Sequence, residues 1–592
     1  MLLSSVAPLL AQEAAPTWRE LEGVRPAQWR VIWHEDPAHE ATVSWSTEAE
    51  GNDHRVLASE SAMNGIIEDY PQSFTARRNG KYSLDPSEIG KLEGAWYHHA
   101  TLDNLKPSTT YYFVILSNGE ASPEMHFVTA PEDARPFKLL YGGDSRSGHI
   151  ARQVMYRLMA SLALEDPSIL AFAHGGDFIY SGRLWGDWGQ WLSHHELGVL
   201  DNGRVLPIIP VRGNHDSGPL FNEIFDTPGG DNNNYYVTEI GTELALITLN
   251  SETSTTGDQA VWLEEALSYL RPTHTWLVAQ FHRPLYPAVK TPGPAKSTWV
   301  PLFEHYDLDL VLESDGHVLK RTMPIRSEKF DPTGVTYIGE GGLGVPQRNP
   351  DSERWYLKAP GMTASAHHIT LLEFSPDKLH MVSQGPPLAI DAFMPEGFSS
   401  VIEAQSSWSY LAGEDPTGNW TDPSFDASSW NTGQAGFGFG DDDDTTVLDG
   451  MRGSYQRVYL RKSVQAADLK GYKDLALMIR YDDAFIAYIN GTEFCRSKVG
   501  GGAGAQATDV ESHEARTCFA YFPIPNWRDL IEGDAIVIAI EGHNAKVSSS
   551  DFTLDPFLIA DPTNLSSMAG ENGRIILDDH TLLPREDIEK ER

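Results

Sequence analysis

A chain of 592 residues is too long for a single hydrophobic core, and about two to four domains are expected. Hydrophobic residues make up 41% and aromatic residues 10%, which excludes an intrinsically disordered chain. A formal net charge of -38 excludes general affinity for nucleic acid and for anionic membrane surfaces, so an anionic substrate would need a local cationic centre, such as a metal.

The first residues read MLLSSVAPLLAQEAAP, an apolar run with a small residue at Ala11 but no basic start. A signal peptide over residues 1–16 is expected, and with it a secreted or periplasmic protein; a disordered tail is the plain alternative. No later segment approaches the ~20 apolar residues that span a bilayer.

Residues 25–131 read as all-β. ATVSWST alternates as a half-buried strand should. LKPSTTYYFVI places Leu105, Pro107, Thr109, Tyr111, Phe113 and Ile115 at period two. The pattern resembles fibronectin type III sandwiches, in which a tyrosine locks a corner.

Over residues 136–387 the pattern changes. Short apolar runs end in polar clusters: FKLLYGGDSRSG, ILAFAHGGDFIY, VLPIIPVRGNHD, TWLVAQFHRP and LDLVLESDGH. Helix-like stretches such as ARQVMYRLMASLAL and DQAVWLEEALSYL lie between some of them. This is an α/β domain on buried strands, with chemistry expected at the strand ends.

Residues 400–561 turn β-like again. YDDAFIAYINGTEF alternates around an Asn490-Gly491 hairpin turn, which predicts a jelly-roll or galactose-binding-like sandwich. Cys495 and Cys518 fall in this region; a pair and two free thiols are both open. Asp441 to Asp444 are weak calcium candidates, with a solvated acidic loop as the alternative. Trp408, Trp420 and Trp430 are either core residues or a glycan platform. Residues 562–592 are expected to form a loosely ordered tail.

The strand ends present Asp144, Asp177, Tyr180, Asn214, His215, His282 and His317. Carboxylates, an amide oxygen, imidazoles and a phenol suit iron, zinc or manganese better than calcium. In the order GGDSR, GGDFIY, GNHD, FHRP and DGH, these motifs resemble the calcineurin-like metallophosphoesterases. The tyrosine three residues after the second aspartate, and the preceding sandwich, make the resemblance closest to the purple acid phosphatases. It covers roughly residues 25–385 and implies a four-layer α/β/β/α domain between two β-sandwiches.

The resemblance implies two metal ions, iron with zinc, iron or manganese. Asp177 would bridge them. Asp144 and Tyr180 would hold the first, and Asn214, His282 and His317 the second. His215 would contact phosphate and serve the leaving group. A metal-activated hydroxide would then hydrolyse a small phosphomonoester. Phosphodiester or nucleotide hydrolysis on the same fold, and a degenerate phosphate- or glycan-binding protein, are the alternatives.

The sequence departs from the family where the first metal usually finds imidazoles: Arg146 and Leu319 stand there. Three readings are open. His149 bends back as a replacement ligand. The first ion is held weakly by Asp144, Asp177 and Tyr180. Or Arg146 and Lys320 supply positive charge in place of one metal, leaving a one-metal enzyme, since both are good phosphate partners. His174, His194 and His195 read as packed residues, and Trp185, Trp188 and Trp191 as core or a substrate wall.

Overall fold

The computed structural model describes residues 21–89, 94–147, 149–200, 202–229, 233–385, 399–440, 444–472, 475–500, 507–510, 520–524, 527–531, 533, 535–560, 575–585 and 588. Residues 1–16, expected to be a signal peptide, His149's side chain, Asp441–Asp443 and Cys518 lie outside this description. The chain forms two compact units: residues 17–387 with 568–592, and residues 388–567. No helix among the described residues is long and apolar enough to cross a membrane.

In the larger unit, the N-terminal region is β-rich. Ala27–Ile32, Ala41–Thr47, Trp96–Leu102 and Arg78–Lys81 form one sheet; Gln72–Thr75, His54–Ser59 and Thr110–Ser117 belong to another. Alternation along Thr110–Ser117 buries Tyr111, Phe113 and Ile115. The Lys106 N–H donates to the Tyr111 hydroxyl at 2.9 Å, the corner lock that the sequence implied. The region is not closed on itself, however. Ala27–Ile32 pairs in parallel with Ile208–Pro210, so a single ten-stranded sheet runs from this region into the next.

That sheet continues through Ile169–His174 and Phe137–Gly142, parallel to each other and to Ile208–Pro210. A seven-stranded sheet holds Leu244–Thr248, Trp276–Gln280, Leu310–Glu313 and Thr336–Gly339, also parallel. Apolar residues on both faces of these strands explain the two-sided burial. Leu139, Tyr141 and Ala171 of the first sheet share a core with Leu246, Val278 and Leu312 of the second. Leu140 and Phe172, pointing the other way, pack with Met155, Trp188 and Trp191 of the helices His149–Glu165 and Trp185–His195. Ile247, Leu277 and Val311 do the same with Leu263 and Trp299 of Asp258–Leu270 and Lys296–His305. Trp185, Trp188 and Trp191 are therefore core residues, each at most 2% exposed.

The expected tail is corrected over Ile575–Leu582. This segment is a strand paired antiparallel with Lys378–Gly385 at the sheet's edge. Its acidic residues hid it: Asp578 accepts from Arg321 Nε and Nη2 at 2.7 and 2.9 Å, and Asp579 lies 2.8 Å from His380. Those partners sit some two hundred residues away, where local sequence does not show them.

The smaller unit has two six-stranded sheets that share one hydrophobic core. Ala484–Ile489 and Thr492–Ser497 form a hairpin, with both Asn490 and Gly491 at positive φ as a tight turn of this twist requires. Trp408 belongs to the core; Trp420 and Trp430 are half-buried, with ring centroids 6.0 Å apart.

Candidate metal centre

All the motif residues follow the carboxyl ends of parallel strands, so the topology carries them to one place. Asp144 follows Phe137–Gly142, Asp177 follows Ile169–His174 and Asn214 follows Ile208–Pro210. His282 follows Trp276–Gln280, and His317 lies between Leu310–Glu313 and Leu319–Arg321. Backbone bonds fasten the first two loops together: Asp144 N–H donates to Gly176 O at 2.9 Å and Ser145 N–H to Asp177 O at 3.0 Å.

The backbone is bent to aim these side chains. Asp144, Asp177 and His317 have φ of 57°, 55° and 59°, the left-handed region that L-residues avoid at a cost of about 1–2 kcal/mol each. Two glycines make room. A Cβ on Gly213 would lie 2.4 Å from Asp177 Oδ1, and one on Gly341 would lie 2.0 Å from Asp144 Oδ2.

Asp144, Asp177 and His282 are at most 1% exposed. Among the described residues, these three offer ligand atoms within 4.8 Å of one another. His317 Nε2 lies 3.4 Å from Asp144 Oδ1, and His282 Nε2 lies 3.2 Å from Asp177 Oδ1. The imidazole of His282 is set for ligation: its Nδ1 meets the Gly175 carbonyl at 2.9 Å, so Nδ1 carries the proton and Nε2 keeps its lone pair.

A fit test for a metal follows from polar satisfaction. Buried polar atoms are normally hydrogen-bonded. Asp144 Oδ1, Asn214 Oδ1, His282 Nε2 and His317 Nε2 are buried without a hydrogen-bond partner, and Asp177 Oδ2, which likewise has none, faces Arg146 Nε at 3.3 Å. Three oxygens and two imidazole nitrogens form the mixed donor set that a borderline metal ion takes. These residues fit such an ion.

Neighbours hold this set in place. Asp216 receives N–H bonds from Asp177 and Gly213, both 2.8 Å, and from Phe178 at 2.9 Å. Burial and the Asp177 charge push its pKa up, while Asp177 is held below its ordinary range, burial being outweighed by His282 and His215. Asp315 accepts from Lys290 Nζ at 2.5 Å and lies 3.6 Å from His282 Nε2; its own N–H donates to Asp144 Oδ2 at 2.8 Å. Arg348 Nη1 donates to Asp315 O at 3.2 Å. Sequence reasoning gave these four no role. Asp216 and Asp315 lie inside GNHD and SDGH, where they were visible; Lys290 and Arg348 come from loops without a local signal.

Other expectations fare differently. His215 stands beside the cluster: its Nδ1 donates to Tyr180 O at 2.6 Å, and its Nε2 is 4.0 Å from Asp177 Oδ2. Tyr180 stands at the rim, 54% exposed, rather than among the buried ligand atoms, and the Arg146 guanidinium lies 5.7 Å from its ring centre. Arg146 Nε lies 3.3 Å from Asp177 Oδ2.

Lys320 is corrected outright. It is fully buried, and its three N–H groups are taken by Glu313, by Glu340 at 2.7 Å and by Tyr286 O at 2.5 Å, so it does not reach a phosphate. Leu319, 1% exposed, lies in the same strand. His174 is a core residue: Gly176 N–H donates to its Nδ1 at 3.1 Å, so its Nε2–H faces Ser145 Oγ at 3.1 Å. His194 accepts from Arg152 Nε at 3.0 Å, and His195 stacks on Trp191.

Residues 26–129 match the family model of the purple acid phosphatase N-terminal domain, and residues 149–319 that of the calcineurin-like phosphoesterases. An uncharacterized protein of Mycobacterium tuberculosis is 23% identical over 306 residues, which are 43% of this chain and 53% of that one. Purple acid phosphatase 21 of Arabidopsis thaliana is 25% identical over 287 residues, 45% of this chain and 62% of that one. The chain thus spans just over half the length of these curated relatives. The structure of a purple acid phosphatase from yellow lupin (Lupinus luteus) seeds shares the fold, with a TM-score of 0.50 at 17% identity, covering 61% of this chain and 72% of that one.

Residues 149–319 thus match the calcineurin-like phosphoesterases, a class of hydrolases. Within that class the chain is purple acid phosphatase-like.

Proposed function

We propose that this chain hydrolyses phosphomonoesters at a metal centre held by Asp144, Asp177, Asn214, His282 and His317. The observation that carries the reading is that Asp144, Asp177 and His282 offer ligand atoms within 4.8 Å of one another, with His317 Nε2 3.4 Å from Asp144 Oδ1 and atoms of all four buried without hydrogen-bond partners. Iron, zinc or manganese suits that donor set. The layering of helices and sheets is read as the four-layer α/β/β/α arrangement of this class, preceded by a fibronectin-like sandwich. The smaller unit is read as a jelly-roll.

A metal ion in this site supplies a positive centre that polarises phosphoryl oxygens and acidifies water. The chain's own residues supply the rest. Arg146, 13% exposed, presents a guanidinium whose planar fork suits two phosphoryl oxygens. As the water oxygen bonds to phosphorus, the bond to the ester oxygen breaks. His215 in its protonated form delivers the proton to that oxygen from Nε2, its ring oriented by the Tyr180 carbonyl on Nδ1.

The test is elemental analysis of the purified full chain, with p-nitrophenyl phosphate and bis(p-nitrophenyl) phosphate assayed on the same sample. Bound metal is expected, with monoester turnover that a chelator abolishes and returned metal restores. No bound metal and no turnover after iron, zinc and manganese are offered would sink the reading. Preferred turnover of the diester would move the assignment to a phosphodiesterase.

A further inference from the structure

We propose that this enzyme works with a single metal ion, and that the guanidinium of Arg146 occupies the place of a second ion, the one that Asp144 and Tyr180 would otherwise hold. The inference rests on the metal-dependent reading above. It concerns how that site is completed.

The cluster has one complete side and one altered side. His282, His317 and Asn214, the residues expected to hold one ion, are all present with ligand atoms buried and without hydrogen-bond partners, His282 Nε2 facing Asp177 Oδ1 at 3.2 Å and His317 Nε2 facing Asp144 Oδ1 at 3.4 Å. On the altered side, the two positions that the family fills with imidazole hold Arg146 and Leu319. Leu319 is 1% exposed and its strand is paired on both edges, with Leu319 opposite Ala364. Tyr180 stands 54% exposed at the rim. A second ion would be left with the carboxylates of Asp144 and Asp177, which the first ion already uses.

The carboxylate of Asp177 shows the same division within a single group. Its Oδ1 faces His282 Nε2 at 3.2 Å, while its Oδ2 faces Arg146 Nε at 3.3 Å. A bridging carboxylate gives one oxygen to each of two cations. Here one oxygen is turned to the candidate ligand set and the other to a guanidinium. Arginine does not shed its charge in a protein, so a dication entering the second place would meet a fixed positive charge at close range. The guanidinium is also held: the Tyr180 ring lies beneath it at 5.7 Å, and the side chain is 13% exposed. The residues on the altered side therefore do not fit a second ion, but they do fit the phosphate group such an ion would bind. Arginine presents a rigid fork of donors where a metal would present one charge.

The experiment uses the full chain, saturated with zinc, freed of loose metal and analysed for zinc per chain. One ion per chain is expected. Arg146→Met is expected to keep that one ion and its melting temperature, while inhibition by inorganic phosphate weakens about 10–100-fold, the loss of one or two charge-assisted hydrogen bonds. Arg146→His, which removes the fixed charge and adds an imidazole, is expected to take up a second zinc. Two ions in the unaltered chain would overturn the proposal while leaving the metal-dependent reading standing. One ion with unchanged phosphate inhibition in Arg146→Met would overturn the role of the guanidinium. A single ion in Arg146→His would show that Arg146 is not what keeps the second ion out. No zinc in any form, with no turnover, would overturn the underlying reading itself.

Discussion

Two buried charged clusters lie close together in this chain, and they differ in one respect. In the first, Lys320 is fully buried between Glu313 and Glu340, and each of its three N–H groups has an oxygen. In the second, Asp144, Asp177, His282 and His317 are as deeply buried, but their facing atoms have no hydrogen-bond partner. Burial and charge are common to both. Unmet atoms are gathered in the second cluster, whereas the first leaves Glu340 Oε2 without a partner, and each buried polar atom left alone costs about 1–3 kcal/mol unless a ligand repays it. The closed cluster also fixes the loops of the open one: Glu313 accepts from Leu285 N–H at 2.6 Å and Glu340 from Ala288 N–H at 2.8 Å, just beyond His282.

The strongest way to break this comparison is to remove charge from the open cluster. Asp177→Asn keeps an acceptor for the His215 N–H but loses the carboxylate that faces His282 and Arg146. Turnover is expected to fall about 10³-fold or more, with metal content falling alongside, since such a ligand underlies several kcal/mol of charge stabilisation. Unchanged metal content would mean that the orphaned atoms are not the ligands. His215→Ala separates binding from chemistry. Metal content is expected to hold, and turnover of an alkyl phosphate to fall about 10²–10⁴-fold, the contribution of one general acid. p-Nitrophenyl phosphate, whose leaving oxygen needs little proton help, should lose less. Equal losses on both substrates would remove His215 from leaving-group protonation.

How much of this was legible in the sequence follows from the range of each signal. Asp144, Asp177, Asn214, His282 and His317 each stand just past a run of buried apolar residues, and parallel topology brings such ends together without further information. Tyr180 and Lys320 were less legible because their motif positions say nothing about direction. Tyr180 turns outward with Arg146 over its ring, and Lys320 turns into a pair of carboxylates, one of which, Glu340, is twenty residues on. Asp216 was visible in GNHD, but its part is to collect three backbone N–H groups, a role set by loop geometry. The strand Ile575–Leu582 was missed because its partner strand is separated from it by the whole smaller unit.

The closed cluster is tested by Lys320→Met. Removing the ammonium leaves two carboxylates facing each other in the core, and a loss of about 3–5 kcal/mol is expected, the usual cost of breaking a buried ion pair from one side. The calorimetric transition of the unit that carries the site reads this directly. The folded fraction is expected to keep its metal stoichiometry, since Lys320 does not touch the open cluster. Loss of metal with an unchanged transition would erase the distinction between the two clusters.

The smallest effect sharpens the same point with a carboxylate of the scaffold. Asp187, in the helix Trp185–His195, accepts the Ser181 N–H at 2.9 Å. Burial raises its pKa to about 6, while the Ser181 N–H and the Arg152 charge pull the other way. An unfolded aspartate titrates near about 3.9. Between these two values the folded chain holds a proton that the unfolded chain has released, so this group's contribution makes stability fall as pH rises from about 4 to about 6, and the loss persists above. Asp187→Asn keeps an oxygen for Ser181 and removes the ionisation. A gain of about 1–3 kcal/mol is expected at pH 7 and almost none at pH 4, read as melting temperature against pH. Metal content and turnover should not move. A loss of stability at pH 7 would mean that the charged carboxylate is the favoured form, held by the fields of the strand-end loops, and that scaffold and site share their electrostatics rather than dividing them.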